Sequence, residues 1–274
     1  MVININFFKS LIVISFFAIA NASAQQDIGA LAIQLQKLDS PKAEKEVGYK
    51  TSSRILGSTP LVKDQILSKY VILVGKLLVS NLPEQPNLWT FGVLDSSDIN
   101  AFAAPGGYIF LTKGLLKQLD NEDQLAAVIA HEIAHIKLKH YSNVAKKQML
   151  AEYSLKSLNA GSEDSQLEAM ANATTLILAR GLDKQSEFDA DREASKLLAK
   201  AGYDPSAMAD VLVMLEKNAA RPNNPSMSFL LSTHPSPTQR LQALASCCAD
   251  SFGNMNSSNQ KTKSRFDNQL KSRL

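Results

Sequence analysis

The chain has 274 residues, 45% hydrophobic and 20% charged, a composition that excludes disordered and fibrous classes and suffices to bury one sizeable core. With 29 Lys and Arg against 26 Asp and Glu, the formal charge of +3 offers no basic field that would hold nucleic acid through its phosphates. The excess sits in the last 24 residues, which carry five basic side chains and one acidic; the body before them is slightly acidic.

In chain order, Lys9, the apolar run Leu11 to Ala20 and the small-residue site Ala22-Ser23-Ala24 read as a secretory signal peptide over residues 1–24. The expectation is export to the periplasm and cleavage after Ala24. An uncleaved anchor that also uses Phe7 and Phe8 is the alternative. Gln25 follows the cut, so no lipid-bearing cysteine is expected there. Residues 25–250 form one domain and residues 251–274 a polar, basic tail expected to be disordered.

Within the domain, Ile28 to Leu38 has helical spacing, and a mixed polar helix runs from Ser40-Pro41 to about Leu56. Leu61, Ile66, Tyr70, Val71, Val74, Leu77 and Leu78 recur at three- and four-residue steps and predict a long amphipathic helix that stops before Pro83. Leu88 to Leu94, Ile99 to Ala104 and Tyr108 to Leu111 read as three short strands, separated by Asp95-Ser96-Ser97-Asp98 and Pro105-Gly106-Gly107. A helical series follows. Asn121 with Gln124 forms a capping box, Leu182 to Ala201 is closed by Gly202, Asp204-Pro205 opens the next helix, and Ser236-Pro237 opens the last, to about Ala249. The class is α+β, predominantly α-helical, with a small three-stranded sheet. The only cysteines, Cys247 and Cys248, exclude a disulfide scaffold. Adjacent Cα atoms, about 3.8 Å apart, strain a bridge between them, so an intermolecular disulfide through Cys247 or Cys248, or two reduced thiols, is expected.

The chemistry is carried by His131-Glu132-Ile133-Ala134-His135, inside a stretch from Leu125 to Leu138 free of Gly and Pro. Residues i and i+4 share a helix face, so both imidazoles can bind one ion while Glu132 flanks it. The extended three-histidine pattern fails, because Leu138 and Tyr141 stand where Gly and His would be required; His140 is one residue out of register and reads as a helix-surface residue. A downstream carboxylate on another helix is then the expected third ligand. Glu152, Glu163, Glu168 and Glu187 are candidates, and Glu187 stands out because Asp191 follows four residues later, where a carboxylate can accept the free ring N–H of a ligand histidine.

This HEIAH string, followed some fifty residues later by Ser186-Glu187-Phe188-Asp189-Ala190-Asp191-Arg192, resembles the glutamate-ligand zinc peptidases of metallopeptidase family 48. The similarity runs from about Ala43 to Ala249. It includes Asn100 to Gly107 with Ile109 and Phe110, Gly114-Leu115-Leu116, and Thr233-His234-Pro235-Ser236 with Arg240. The resemblance implies a zincin-type peptidase domain whose sheet packs on the active-site helix. It also implies one Zn2+ per chain held by His131, His135 and Glu187, Glu132 as general base, and Asp191 as their support. Members with membrane helices or tetratricopeptide repeats differ, so a minimal, exported single-domain version is expected.

The chemistry implied is water-activated peptide hydrolysis, with Glu132 moving the proton. His234 or Arg240 supplies a donor to the oxyanion, or His234 occupies the fourth metal position in a latent form. Asn100, Ala101, Phe102, Ala103 and Ala104 are the candidate edge strand for an extended substrate. Expected partners are unfolded or misassembled outer-membrane or envelope proteins, with room for a membrane-associated adaptor and no nucleic acid. The alternative function is a latent or chaperone-like zinc protein with little proteolytic activity.

Overall fold

The computed structural model describes residues 35–83, 88–156, 162–219, 236–252 and 260–274. Helix α1 (Pro41–Ser58) starts where Ser40 accepts from the Ala43 amide and proline occupies the first turn, a position that needs no N–H donor. Helix α2 (Gln65–Val79) is shorter than the apolar spacing predicts, because the Asp64 carboxylate accepts from the Ile66 and Leu67 amides and fixes the start there. Leu61 instead bridges Leu94. Along α2, Leu67, Tyr70, Val71, Val74 and Leu78 turn inward.

Strands β1 (Thr90–Leu94), β2 (Ala101–Ala104) and β3 (Tyr108–Thr112) form one sheet in the order β1-β3-β2. β1 runs parallel to β3 and β2 antiparallel to it. The β2–β3 turn uses Gly106 at φ 77°, and a Cβ there would lie 2.6 Å from the Lys45 Cα of α1. Both the backbone conformation and the close approach require glycine.

Helix α3 (Lys113–Gln118) leads into α4 (Glu122–Lys137), which is buried from Glu122 to Ile136. It is the axis of the molecule: α2, the sheet and later helices α7 (Lys184–Ala201) and α8 (Ala207–Ala219) all pack on it, α7 most extensively. Helices α5 (His140–Lys156) and α6 (Glu163–Arg180) pack together at one side, with α1 against α6. Gly202, in the left-handed conformation, ends α7. Helix α9 (Pro237–Phe252) lies on α7 and α8. The fold is α+β and predominantly helical, as the sequence predicts. Among the described residues no helix is long and apolar enough to cross a membrane. The signal-peptide residues lie outside the described ones, as do the side chains of Cys247 and Cys248.

The tail corrects the sequence reading. Part of the segment expected to be disordered forms helix α10 (Gln260–Gln269) and a 3-10 turn at Lys271–Arg273. Phe266 and Leu270, four residues apart, are fully buried. Arg265 pairs both carboxylate oxygens of Glu122 at 2.5 and 2.6 Å, and the Thr262 hydroxyl donates to Asp123 at 2.8 Å. The tail's basic composition matches the acidic start of α4, where carboxylates are also favoured by the helix dipole.

Candidate metal centre and active site

The frame of α4 is fixed at its start. The Asn121 side chain accepts from the Gln124 amide at 2.9 Å, and the Gln124 side chain accepts from the Asp120 amide at 2.7 Å. Three turns on, His131 and His135 share the face that meets α7. That helix begins at Asp183, which caps Ser186 at 2.9 Å, so Glu187 and Asp191 fall one turn apart on the surface facing the histidines. All four side chains are buried, Glu187 and His135 completely.

The two Nε2 atoms stand 3.0 Å apart, and the Glu187 carboxylate lies 3.5 Å from each. A tetrahedral ion with bonds of 2.0–2.1 Å needs ligand atoms separated by about 3.3–3.4 Å, so the three donors fit a single four-coordinate ion and leave one position open. Ring orientation agrees. His131 Nδ1 lies 2.9 Å from an Asp191 oxygen, so in the neutral, ligating ring the proton faces the carboxylate and the Nε2 lone pair faces the cluster.

Arg240, itself 3% exposed, reaches in from α9. Its Nε and Nη2 donate to the two Asp191 oxygens at 2.8 and 2.5 Å, and Nη1 is 3.2 Å from Glu187. Burial opposes the charged form of Asp191, but the Arg240 guanidinium prevails and holds its carboxyl below the usual range. For His131, burial and the Arg240 charge disfavour protonation, yet Asp191 and Glu187 outweigh them and raise its pKa to about 9 in the metal-free site. The sequence expectation for Arg240 was a donor to an oxyanion; its guanidinium is engaged by the two carboxylates.

Glu132, 2% exposed, lies with His131 and Arg240 at a small apolar cavity whose other walls are Ala101, Leu115, Val128, Met208, Val211 and Leu215. A larger hollow of about 700 Å³ surrounds Glu122 and Arg265, between α2 and α10, away from the histidines. Strand β2 packs on α4 and is also met by α1; among the described residues it pairs only with β3, so Ala101 to Ala104 form an edge strand of the sheet beside the cluster, with Ala101, Ala103 and Ala104 buried. Asn100 precedes it, buried, with its side chain accepting from the Ala101 amide at 2.9 Å.

The other candidate carboxylates are elsewhere. Glu168 pairs with Lys50 and Arg54 at the surface, Glu163 is exposed in the first turn of α6, and the Glu152 side chain lies outside the described residues. His234 also lies outside them. The sequence reading missed His140, which is half-buried rather than a surface residue. Its Nδ1 lies 2.9 Å from His135 Nδ1. Lys139, at φ 55°, turns the chain between α4 and α5, a conformation that costs a non-glycine residue about 1–2 kcal/mol. The Lys139 ammonium is held by Glu44 of α1 at 2.8 Å. The available signal was the five-residue step from His135, which meets only across a break in the helix.

Comparison with known proteins gives a match to "Peptidase family M48" over residues 72–247. The chain is 34% identical over 210 residues to the beta-barrel assembly-enhancing protease of Escherichia coli (strain K12), covering 72% of this chain and 42% of that protein. It is 30% identical over 224 residues to the Yersinia pestis protein of the same name, covering 78% and 45%. Similarity to the mitochondrial metalloendopeptidase OMA1 of Bos taurus is 30% over 165 residues, 57% of this chain and 32% of that one. The matched stretch thus spans less than half the length of each of these relatives.

Proposed function

The chain belongs to peptidase family M48, and on that premise we propose that it is a zinc-dependent endopeptidase acting on unfolded or misassembled exported or envelope proteins. The observation that carries the reading is the convergence of His131 Nε2, His135 Nε2 and the Glu187 carboxylate on one buried point, with Glu132 next in chain to the first ligand. Two imidazoles and one carboxylate with an open position favour zinc among divalent ions. When bound there, zinc supplies Lewis acidity, which polarises a carbonyl and acidifies a water at neutral pH.

The chain's own groups do the rest. Glu132 takes the proton from the attacking water on its carboxylate and returns it to the leaving amine. Asp191 holds the His131 ring and Arg240 holds Asp191 and Glu187, so the ligands keep their orientation through the cycle. The substrate backbone adds to the edge of β2 along Asn100 to Ala104 through main-chain hydrogen bonds, which read an extended shape rather than a sequence.

The relatives' name, beta-barrel assembly-enhancing protease, supports an envelope setting, as does the signal-like segment over residues 1–24. In this reading the peptidase domain covers residues 25–250, in the periplasm. The test is cleavage of an unfolded model protein by the chain from Gln25, with and without chelator, beside Glu132→Gln. Activity that requires the metal and falls about 100- to 10,000-fold in the variant, with metal content unchanged, is the expected result. Stoichiometric metal with no cleavage overturns the peptidase reading in favour of a latent or chaperone-like protein.

A further inference from the structure

We propose that His140 is a positioning residue for the metal centre: its Nδ1 accepts the Nδ1–H of His135 and so keeps the His135 Nε2 lone pair directed at the ion. The inference rests on the metal-site reading above and adds to it a partner for the second histidine. His131 has the Asp191 carboxylate on its outer nitrogen; the corresponding atom of His135 faces the other imidazole at 2.9 Å. A hydrogen bond between two ring nitrogens needs one proton and one lone pair. If His140 donated, a neutral His135 would carry its proton on Nε2, the atom 3.0 Å from His131 Nε2 and 3.5 Å from Glu187, and could not ligate. Metal binding therefore selects one arrangement, with His135 protonated on Nδ1 and His140 on Nε2.

The backbone is built to bring the rings together. An uninterrupted helix would carry residue 140 away from 135, since neighbours on one face are three or four apart. Here α4 ends at Lys137, Lys139 takes φ 55°, and α5 begins at His140. The turn is closed by Lys139 N–H to Ile136 O at 3.0 Å and tied to α1 through Lys139 and Glu44 at 2.8 Å. The two rings then meet edge-on, with centroids 5.1 Å apart and planes at 70°. Tyr141, buried next in chain, has its ring 5.5 Å from that of His135 and closes the same side. An imidazole in place of a carboxylate leaves this side of the centre without an added negative charge.

The experiment measures zinc affinity by competition with a chromophoric chelator for the wild-type chain, His140→Leu and His140→Asn. Asn offers an oxygen acceptor close to the place of Nδ1; Leu offers none. His140→Leu is expected to bind zinc 10- to 100-fold more weakly, and His140→Asn to recover most of that loss. Nitrogen-15 imidazole spectra of the zinc-loaded wild type are expected to show His135 protonated on Nδ1 and His140 protonated on Nε2 with a bare Nδ1, a reading that needs no variant and stands even if His140→Leu fails to fold. Wild-type affinity in the Leu variant, equal losses in both variants, or a proton on His140 Nδ1 overturns the proposal. A wild-type chain that binds no zinc removes the metal-site reading itself. One that binds zinc and cleaves, with His140 variants unchanged, removes this inference alone.

Discussion

Replacing Asp191 by Asn keeps the size of the side chain while removing one buried charge and turning one acceptor into a donor. In the native site Oδ1 accepts from Arg240 Nη2 at 2.5 Å and faces His131 Nδ1 at 2.9 Å, while Oδ2 accepts from Arg240 Nε at 2.8 Å. If the Asn oxygen stays toward His131, its NH2 opposes the Arg240 Nε–H, donor against donor. If the amide flips, its NH2 faces His131 Nδ1 and drives the ring proton to Nε2, the atom aimed at the ion. Either way the site loses at least one charge-assisted hydrogen bond of about 1.5–3 kcal/mol, in a buried pair whose disruption costs about 3–5 kcal/mol in full. Glu187, still 3.2 Å from Arg240, offsets part of that, so about 3 kcal/mol of metal-free stability should be lost. Metal affinity should fall 10- to 100-fold. Urea unfolding of the metal-free chain and chelator competition read the two effects separately. Asp189→Asn is the control: it lies on the same helix at the surface, paired with Arg192, and such positions shift stability by about 0.5 kcal/mol or less. An Asp191→Asn chain with wild-type metal affinity would refute the claim that this carboxylate sets the His131 ring.

Phe266→Ala should cost about 3–5 kcal/mol in urea unfolding, because the ring is fully buried; an unchanged midpoint would return the tail to the solvated state its composition suggests. Glu122→Gln should cost about 2–3 kcal/mol near neutral pH. Burial would raise the Glu122 pKa, but hydrogen bonds from Arg265, Tyr70 and Tyr203 lower it below 4.5. Its stabilisation is therefore present above pH 4.5 and lost as pH falls through the lower folded value, so the gap to the variant should close in acid. His131 has the opposite sign: raised from 6.5 to about 9 without metal, its protonated form stabilises the metal-free chain below pH 6.5 and that contribution disappears as pH rises through 9. Metal competes for the same site, so chelated protein should lose stability across this window while metal-loaded protein holds; parallel melting curves against pH would refute the assignment.

Much of the site was legible because metal chemistry constrains spacing. His131 and His135 lie one helical turn apart whatever surrounds them, and the Glu187–Asp191 step repeats the same geometry on a second helix. The three strands were legible from runs broken by Asp and Gly, and the α4 start from Asn121 and Gln124. What escaped depended on pairing between distant segments. Arg265 meets Glu122 across 143 positions, so an isolated reading of residues 251–274 sees only charge and polarity. His140 escaped for the same kind of reason, since a continuous helix directs it away from His135 and only the left-handed Lys139 brings it back. The sequence marked Arg240 as a candidate and the structure places it beside the histidines, but its partners were not legible, because the sequence does not say which carboxylate a buried guanidinium will meet.

These pairings divide the work along α4. At its first turn Glu122 receives Tyr70 from α2, Tyr203 from the segment after α7 and Arg265 from α10. Nine residues on, His131 turns to Asp191. At about 1.5 Å of rise per residue the two clusters are about 13 Å apart, and the partner side chains of one are not those of the other. Perturbations separated by more than about 7–10 Å without shared partners add within about 0.3–0.5 kcal/mol. Glu122→Gln should therefore lower stability without changing metal affinity, and the double variant with Asp191→Asn should show the sum of the single losses in urea. A coupling above about 1 kcal/mol would mean that α4 shifts as a rigid rod when its first turn is released. The C-terminal helix would then control the metal centre as well as the stability of the fold.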